Sequence, residues 1–386
     1  MVLSFLLFII FVEDKKTKKL VMTKIKEIVS YLDNFAPRVL SEDYDNVGLL
    51  IGDYNTNVSG VLITLDVTEE VIDEAIKLKK NVIVAHHPII FRGIKKITNS
   101  NEIERIIYKA IKNDIAIYAG HTNFDNIKSG VNGKICEKLS LQNCKIISPR
   151  KNQLLKLITY VPVSHAEKLR QSIFDAGAGQ IGNYSNTSFN SEGKGTFCAN
   201  QEAKPFVGKK GNLHTENEIK IETIFPIYNK GKVITAVINN HPYEEPAYDI
   251  MMLENTNKEV GSGMIGNLKN ALNETEFLAL IKQTFNTGVI KHTKLKNNKI
   301  KKVAVCGGSC SFLINSAKSA NADAFITADI KYHDFFDIEN SMLLLDIGHY
   351  ESEQYTKEIF YEILTKKFSN FAINLSEVDT NPIKYY

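Results

Sequence analysis

Strand-like apolar runs in this chain keep ending on an imidazole or a carboxylate. Asn81-Val-Ile-Val-Ala runs into His86-His87-Pro88. Ile115-Ala-Ile-Tyr-Ala-Gly runs into His121-Thr-Asn-Phe-Asp125, and Met342-Leu-Leu-Leu-Asp346-Ile-Gly into His349-Tyr-Glu-Ser-Glu353. Short continuous apolar runs suit strands buried on both faces, as in a parallel sheet. In such a sheet the loops at the carboxyl ends of the strands meet in one crevice. Residues far apart in sequence can then share a site. Imidazole with carboxylate is the donor set of a mixed nitrogen and oxygen metal centre.

The 386 residues are too many for one small core and imply two or three domains. The formal charge of +3 is small, and the lysines are spread along the chain. That weighs against a nucleic-acid protein, which concentrates its basic residues on one face. The five cysteines are few, odd in number and scattered, as expected of reduced thiols in a cytoplasm. Residues 1–21 hold an apolar run, Val2 to Val12, followed by Glu13-Asp-Lys-Lys-Thr-Lys-Lys19. The run is shorter than the roughly 20 residues a membrane span needs. It also lacks the basic start and small-residue cleavage site of a signal peptide. We read residues 1–21 as an upstream extension, with the native chain starting at Met22 and no membrane anchor.

From Thr23 helix and strand patterns alternate. Ile25, Ile28, Val29 and Leu32 recur at helical spacing. Val61 to Asp66 reads as a buried strand, and Thr68 as the cap of a helix with Glu69 and Glu70 in its first turn. A strand over 82–85, a helix over 101–113 and a strand over 115–119 follow. This alternation predicts an α/β fold with mostly parallel sheets covered by helices. Near residue 150 the pattern changes. Strand over 154–161, helix over 164–175, two β segments around 183–189 and 195–199, strand from Ile219, helix over 232–239 and strand over 247–253 give, with one β segment to spare, the order β-α-β-β-α-β. That is the ferredoxin-like unit. We divide the chain into a first α/β segment (22–150), an inserted domain (151–255) and a second α/β segment (256–386).

His349 and Glu353, four apart where a helix begins, share one helical face. His86 and His87 follow a strand, so the two imidazoles face different ways and can serve two ions. Asp125 alone would be a turn or cap residue. The three motifs together favour a metal. Gly307-Gly308-Ser309 reads either as an anion-binding nest or as a tight turn, and Cys306 and Cys310 as structural or incidental residues. Asp329-Ile-Lys-Tyr-His333 follows another strand. His333 is a candidate general acid or base, with Asp329 orienting it or a water; packing behind the site is the alternative.

These motifs resemble the Nif-three-like dinuclear-metal family, the type-two GTP cyclohydrolase I homologues. The matching stretches are Tyr44 to Gly52, Ala85 to Phe91, Gly120 to Asp125, Gly307 to Ser309, Asp329 to His333 and Asp346 to Glu353. His241-Pro-Tyr-Glu-Glu-Pro246 and Gly177 to Gly182 resemble the PII/CutA-like insert of its longer members. The resemblance implies two divalent ions (Zn, Fe, Mn or Co) on His86, His87, Asp125, His349 and Glu353. It also implies a cytoplasmic homohexamer and a nucleotide or other small-molecule substrate. Tyr44, Met264 and Cys310 depart from residues common in the family, namely tryptophan, arginine and glycine. The implied activity is metal-dependent opening of the GTP ring with loss of formate, His333 moving protons and Lys331 or the Gly307–Ser309 turn holding phosphate. Two other readings stay open: hydrolysis of another phosphoester or an amide, and a non-catalytic metal-binding regulatory assembly.

Overall fold

The computed structural model describes residues 22–339 and 341–386. The expected upstream extension, 1–21, lies outside the described residues. A five-stranded sheet has Gly48–Ile51 at one edge, then Ala116–Ala119, Val82–Ala85, Gly60–Thr64 and Ala372–Leu375. Three of its four pairings are parallel. A six-stranded sheet runs Lys291–His292, Leu343–Asp346, Ala324–Ala328, Lys299–Ser309, Asn257–Asn273 and Gln142–Arg150. Each sheet therefore takes a strand from the far segment of the chain. Gln142–Arg150 precedes the middle region, and Ala372–Leu375 returns from the C-terminal end to pair with Gly60–Thr64.

The expectation of mostly parallel sheets holds for the first sheet and is corrected for the second. There only the three central strands are parallel, and the other three pairings are antiparallel. The reason is Asn257–Asn273, a long strand that pairs antiparallel on both sides. Its neighbour Gln142–Arg150 buries only Ile146 and so lacks a continuous apolar run.

Helices cover the sheets because their apolar residues fall on one side. The helix Glu69–Lys77 buries Val71, Ile72 and Ala75 and is capped by the Thr68 side chain, which accepts from Val71 N. It packs with Glu102–Lys112 on one face of the first sheet. The other faces of both sheets share one core, in which Val82, Val84 and Tyr118 meet Val303, Val305 and Leu345 through Phe124, Phe277 and Phe360. Burying such a side chain contributes roughly 1.5–3 kcal/mol, so this shared core holds the two sheets in fixed relation.

Between them, Leu154–Pro162, Ala166–Asp175, Phe189–Cys198, Leu213–Pro226, Lys230–Asn240 and Tyr248–Leu253 follow in the order strand, helix, strand, strand, helix, strand. Their antiparallel sheet has its own small core around Leu157, Leu169, Phe225 and Val237. The two β segments expected at 183–189 and 195–199 are one strand. The preceding stretch is bent by positive φ at Gly177, Gly179, Gly182 and Asn186 and cannot extend. No helix among the described residues is long and apolar enough to cross a membrane.

Candidate metal centre

The carboxyl ends of strands from both large sheets meet at one place. His86 and His87 leave Val82–Ala85, and both backbone N–H groups donate to Leu65 O, at 3.1 and 3.0 Å. His121 and Asp125 lie in the turn after Ala116–Ala119. His349 and Glu353 occupy the short helix after Leu343–Asp346. Gly348 enters that helix at φ +95°, a conformation open to glycine.

Glu353 is the hub. It is 2 % exposed, and its Oε2 lies 3.0 Å from His87 Nε2, 3.1 Å from His349 Nε2 and 3.7 Å from His86 Nε2. Asp125 Oδ1 lies 3.7 Å from the same His86 nitrogen. Three groups of donors sit close enough to grip an ion: His86, Asp125 and Glu353; His87, His349 and Glu353; and His86, His87 and His121.

Each imidazole is held from behind by its Nδ1. That of His86 donates to Gly120 O at 2.8 Å, and that of His87 meets Asp66 Oδ1 at 2.7 Å. His121 meets Asp45 Oδ1 at 2.8 Å, and His349 meets Asp329 Oδ2 at 2.6 Å. Such partners fix ring orientation and leave Nε2 aimed inward, the usual support of a metal-ligating histidine. Asp329 does this from a left-handed backbone, φ +54°, uncommon for a residue with a side chain.

The electrostatics agree. Burial opposes charge on His87 and His349, yet hydrogen bonds and proximity to Asp66, Asp329 and Glu353 push them up to about 10 and about 11. Burial would also raise Glu353, but the three histidines hold it well below the carboxylate range. Asp125 is driven well up, by burial first and then by Glu353. Two buried atoms, His86 Nε2 and Asp125 Oδ1, have no hydrogen-bond partner. Native proteins rarely leave such atoms alone. A divalent cation between them would satisfy both, so the residues fit a metal.

All five residues expected as ligands are thus brought together, and Asp329 lies directly behind one of them. Among the described residues, His333 forms no hydrogen bond or ion pair with the five. It sits exposed in the turn Tyr332–Phe335, its ring 5.3 Å from Tyr332 and 6.4 Å from Phe336. Sequence reasoning placed His121 at a strand end without counting it among the ligands, and gave no role to Asp45 or Asp66. Asp66 carries the same signal as the rest, an ionisable residue just past a buried strand. The Gly307–Ser309 turn is not an anion nest. Gly307 N donates to Asn132 Oδ1 at 3.0 Å and Gly308 N to Ser352 Oγ at 2.9 Å. Its role is space, since a Cβ on Gly308 would lie 2.3 Å from Glu353 Oε1. Cys306 and Cys310, read as structural or incidental residues, face each other around this turn with Cα atoms 6.1 Å apart. The bend at Gly308, φ +70°, brings them together. Met264 is buried in the shared core and offers no anion contact.

The family model for Duf34/NIF3 (NGG1p interacting factor 3) matches residues 23–382. The chain belongs to this family. A Bacillus subtilis protein named GTP cyclohydrolase 1 type 2 homolog is 38% identical over 369 residues, 93% of this chain and 98% of that protein. A homologue of the same name from Halalkalibacterium halodurans is 39% identical over 363 residues, 93% of this chain and 98% of its own length. Among solved structures, a Bacillus cereus protein related to NIF3 superposes with a TM-score of 0.83 at 40% identity. That match covers 95% of this chain and 100% of the other. The Bacillus cereus protein thus shares the α/β fold over nearly the whole chain.

Proposed function

We propose that this NIF3 protein holds two divalent ions, one on His86, Asp125 and Glu353 and the other on His87, His349 and Glu353, with Glu353 shared. The observation that carries the reading is the pair of partnerless buried atoms, His86 Nε2 and Asp125 Oδ1, beside a carboxylate facing three imidazoles. His121, tethered by Asp45, is a further donor at the same place. The donor set suits Zn, Fe, Mn or Co.

The reaction we assign is hydrolytic, the opening of the GTP ring with release of formate, on the strength of the relatives' names. Bound ions of this kind activate water and polarise the substrate. The protein's own residues hold the geometry. Asp66, Asp329, Asp45 and the Gly120 carbonyl fix the four rings, and Asp329 acts through His349 as a positioning residue. His333, exposed on the turn that follows Asp329, is the proton carrier we assign, and Lys331 beside it the phosphate contact. We further propose residues 22–150 and 256–386 as the metal-binding body, with 151–255 an inserted ferredoxin-like, PII/CutA-like domain. The assembly is a cytoplasmic homohexamer in this reading.

The test is to load the protein with Mn²⁺, Zn²⁺ or Fe²⁺, add GTP and measure formate. Formate from wild type and none from His349→Ala supports the assignment. If both are inert while elemental analysis finds metal on the wild type, GTP is withdrawn as the substrate. The candidates are then another phosphoester, an amide, or a regulatory role without turnover.

A further inference from the structure

A cavity of about 910 Å³ on the sheet of the middle region is lined by none of the proposed metal ligands. That volume is typical of small-molecule sites, roughly 300–1,000 Å³. Helices cover one face of this sheet, where Leu157, Ile221 and Phe225 pack on Leu169, Val233 and Val237. The alternate residues of Leu213–Pro226, among them Glu216, Glu218, Lys220 and Glu222, face the other way. The chain after Cys198 and the turn around Tyr243 close over one end of that second face.

Beneath them lies a carboxylate with no cation. Glu218 is 8 % exposed. Its Oε1 accepts from the Tyr243 hydroxyl at 2.7 Å, and among the described residues it forms no ion pair. The nearby charges on its strand are committed elsewhere, His214 to Glu216 at 3.0 Å and Lys220 to Glu222 at 2.7 Å. The carboxylate itself lies over Gly195. A Cβ on Gly195 would sit 2.2 Å from Glu218 Oε2. Tyr243, which holds the carboxylate, has its ring 5.9 Å from Phe197 and 6.4 Å from Phe206, and all three line the cavity. The other ionisable groups lining the cavity are Glu192, Glu202, Glu244 and Glu245 against Lys194, Lys204 and Lys220, so carboxylates are in excess.

A buried carboxylate is costly unless a positive charge meets it. Ring faces attract cations, most strongly where water is excluded. We propose that this cavity binds a small organic cation, an ammonium or guanidinium compound. Its charge rests on Glu218 and its carbon chain lies against Phe197, Phe206 and Tyr243. The inference does not depend on the metal reading.

The experiment is calorimetric titration of the full-length chain, with thermal melting alongside. The probes are agmatine and spermidine, with inorganic phosphate as the anionic control. At least one amine is expected to bind saturably and raise the melting temperature. Glu218→Gln should weaken that binding about tenfold or more. Gly195→Ala, which keeps the carboxylate but pushes it from its seat, should weaken it too, and carries the test if Glu218→Gln does not fold. The proposal is overturned if neither amine binds saturably, if the variant that folds binds them as well as wild type, or if phosphate binds and the amines do not.

Discussion

Gly308→Ala probes the proposed metal centre without removing a donor. The added Cβ would lie 2.3 Å from Glu353 Oε1 and 3.5 Å from His349 Cε1. Ordinary contact begins at 3.4 Å, so the carboxylate must retreat by about 1 Å. Metal sites hold their ligand distances to within about 0.2 Å. Glu353 cannot give way freely, because Oε2 is already held by His87 and His349. Loss of ligand support of this kind weakens metal binding roughly 10- to 100-fold, or about 1.4–2.7 kcal/mol. Gly308 also sits at φ +70°, which costs a residue with a side chain about 1–2 kcal/mol. Two separable effects are therefore expected: a lower melting temperature in chelator, and weaker retention of metal against a graded competing chelator, followed by elemental analysis. Gly193→Ala is the control, since a Cβ there meets nothing within 4 Å. Wild-type metal affinity in Gly308→Ala would refute the placement of Glu353 against this turn.

Metal loading should release protons. In the protein stripped of metal, His87 and His349, pushed up to about 10 and about 11, carry protons on both ring nitrogens at neutral pH. Ligation must expel them, and Asp125, also driven up, can add a third, so calorimetry in buffers of different ionisation enthalpy should find at least two protons released, and affinity should fall as pH drops; a buffer-independent heat would contradict this. Asp45 links stability to acid. Burial works against its charge, but His121 and Thr122 hold it down to about 2. A depressed carboxyl stabilises fully above its unfolded value near 3.8 and loses that contribution as pH falls through about 2. Asp45→Asn should therefore be less stable than wild type by about 2 kcal/mol near pH 6 in denaturant unfolding. That gap should close towards pH 2, and a gap independent of pH would count against the account.

Five metal-ligand candidates were legible in the chain because their signal is local. His86, His87 and His349 each stand just beyond a run of buried apolar residues, and Glu353 follows His349 at helical spacing. The β-α-β-β-α-β order of the middle region was legible for the same reason, although the glycine-rich stretch hid where its second strand begins. Lys230–Asn240 shows the opposite balance. Its Val and Ile content leans towards strand, yet Val233 and Val237, four apart, pack it as a helix.

Sequence alone thus determined which residues end strands and which carry metal-binding chemistry, because strand burial and helical spacing are written in neighbouring positions. Tertiary structure alone decided the rest. The pairing of Gln142–Arg150 with Asn257–Asn273 depends on partners about a hundred residues away, and neither strand needs a pure apolar run. The tethers from Asp45, Asp66 and Asp329, the inclusion of His121, and the gap at Gly308 that admits Glu353 arise only when two sheets from distant segments pack on one core. A short-range pattern can nominate a donor. Only long-range packing sets the few ångströms between donors that make them a site.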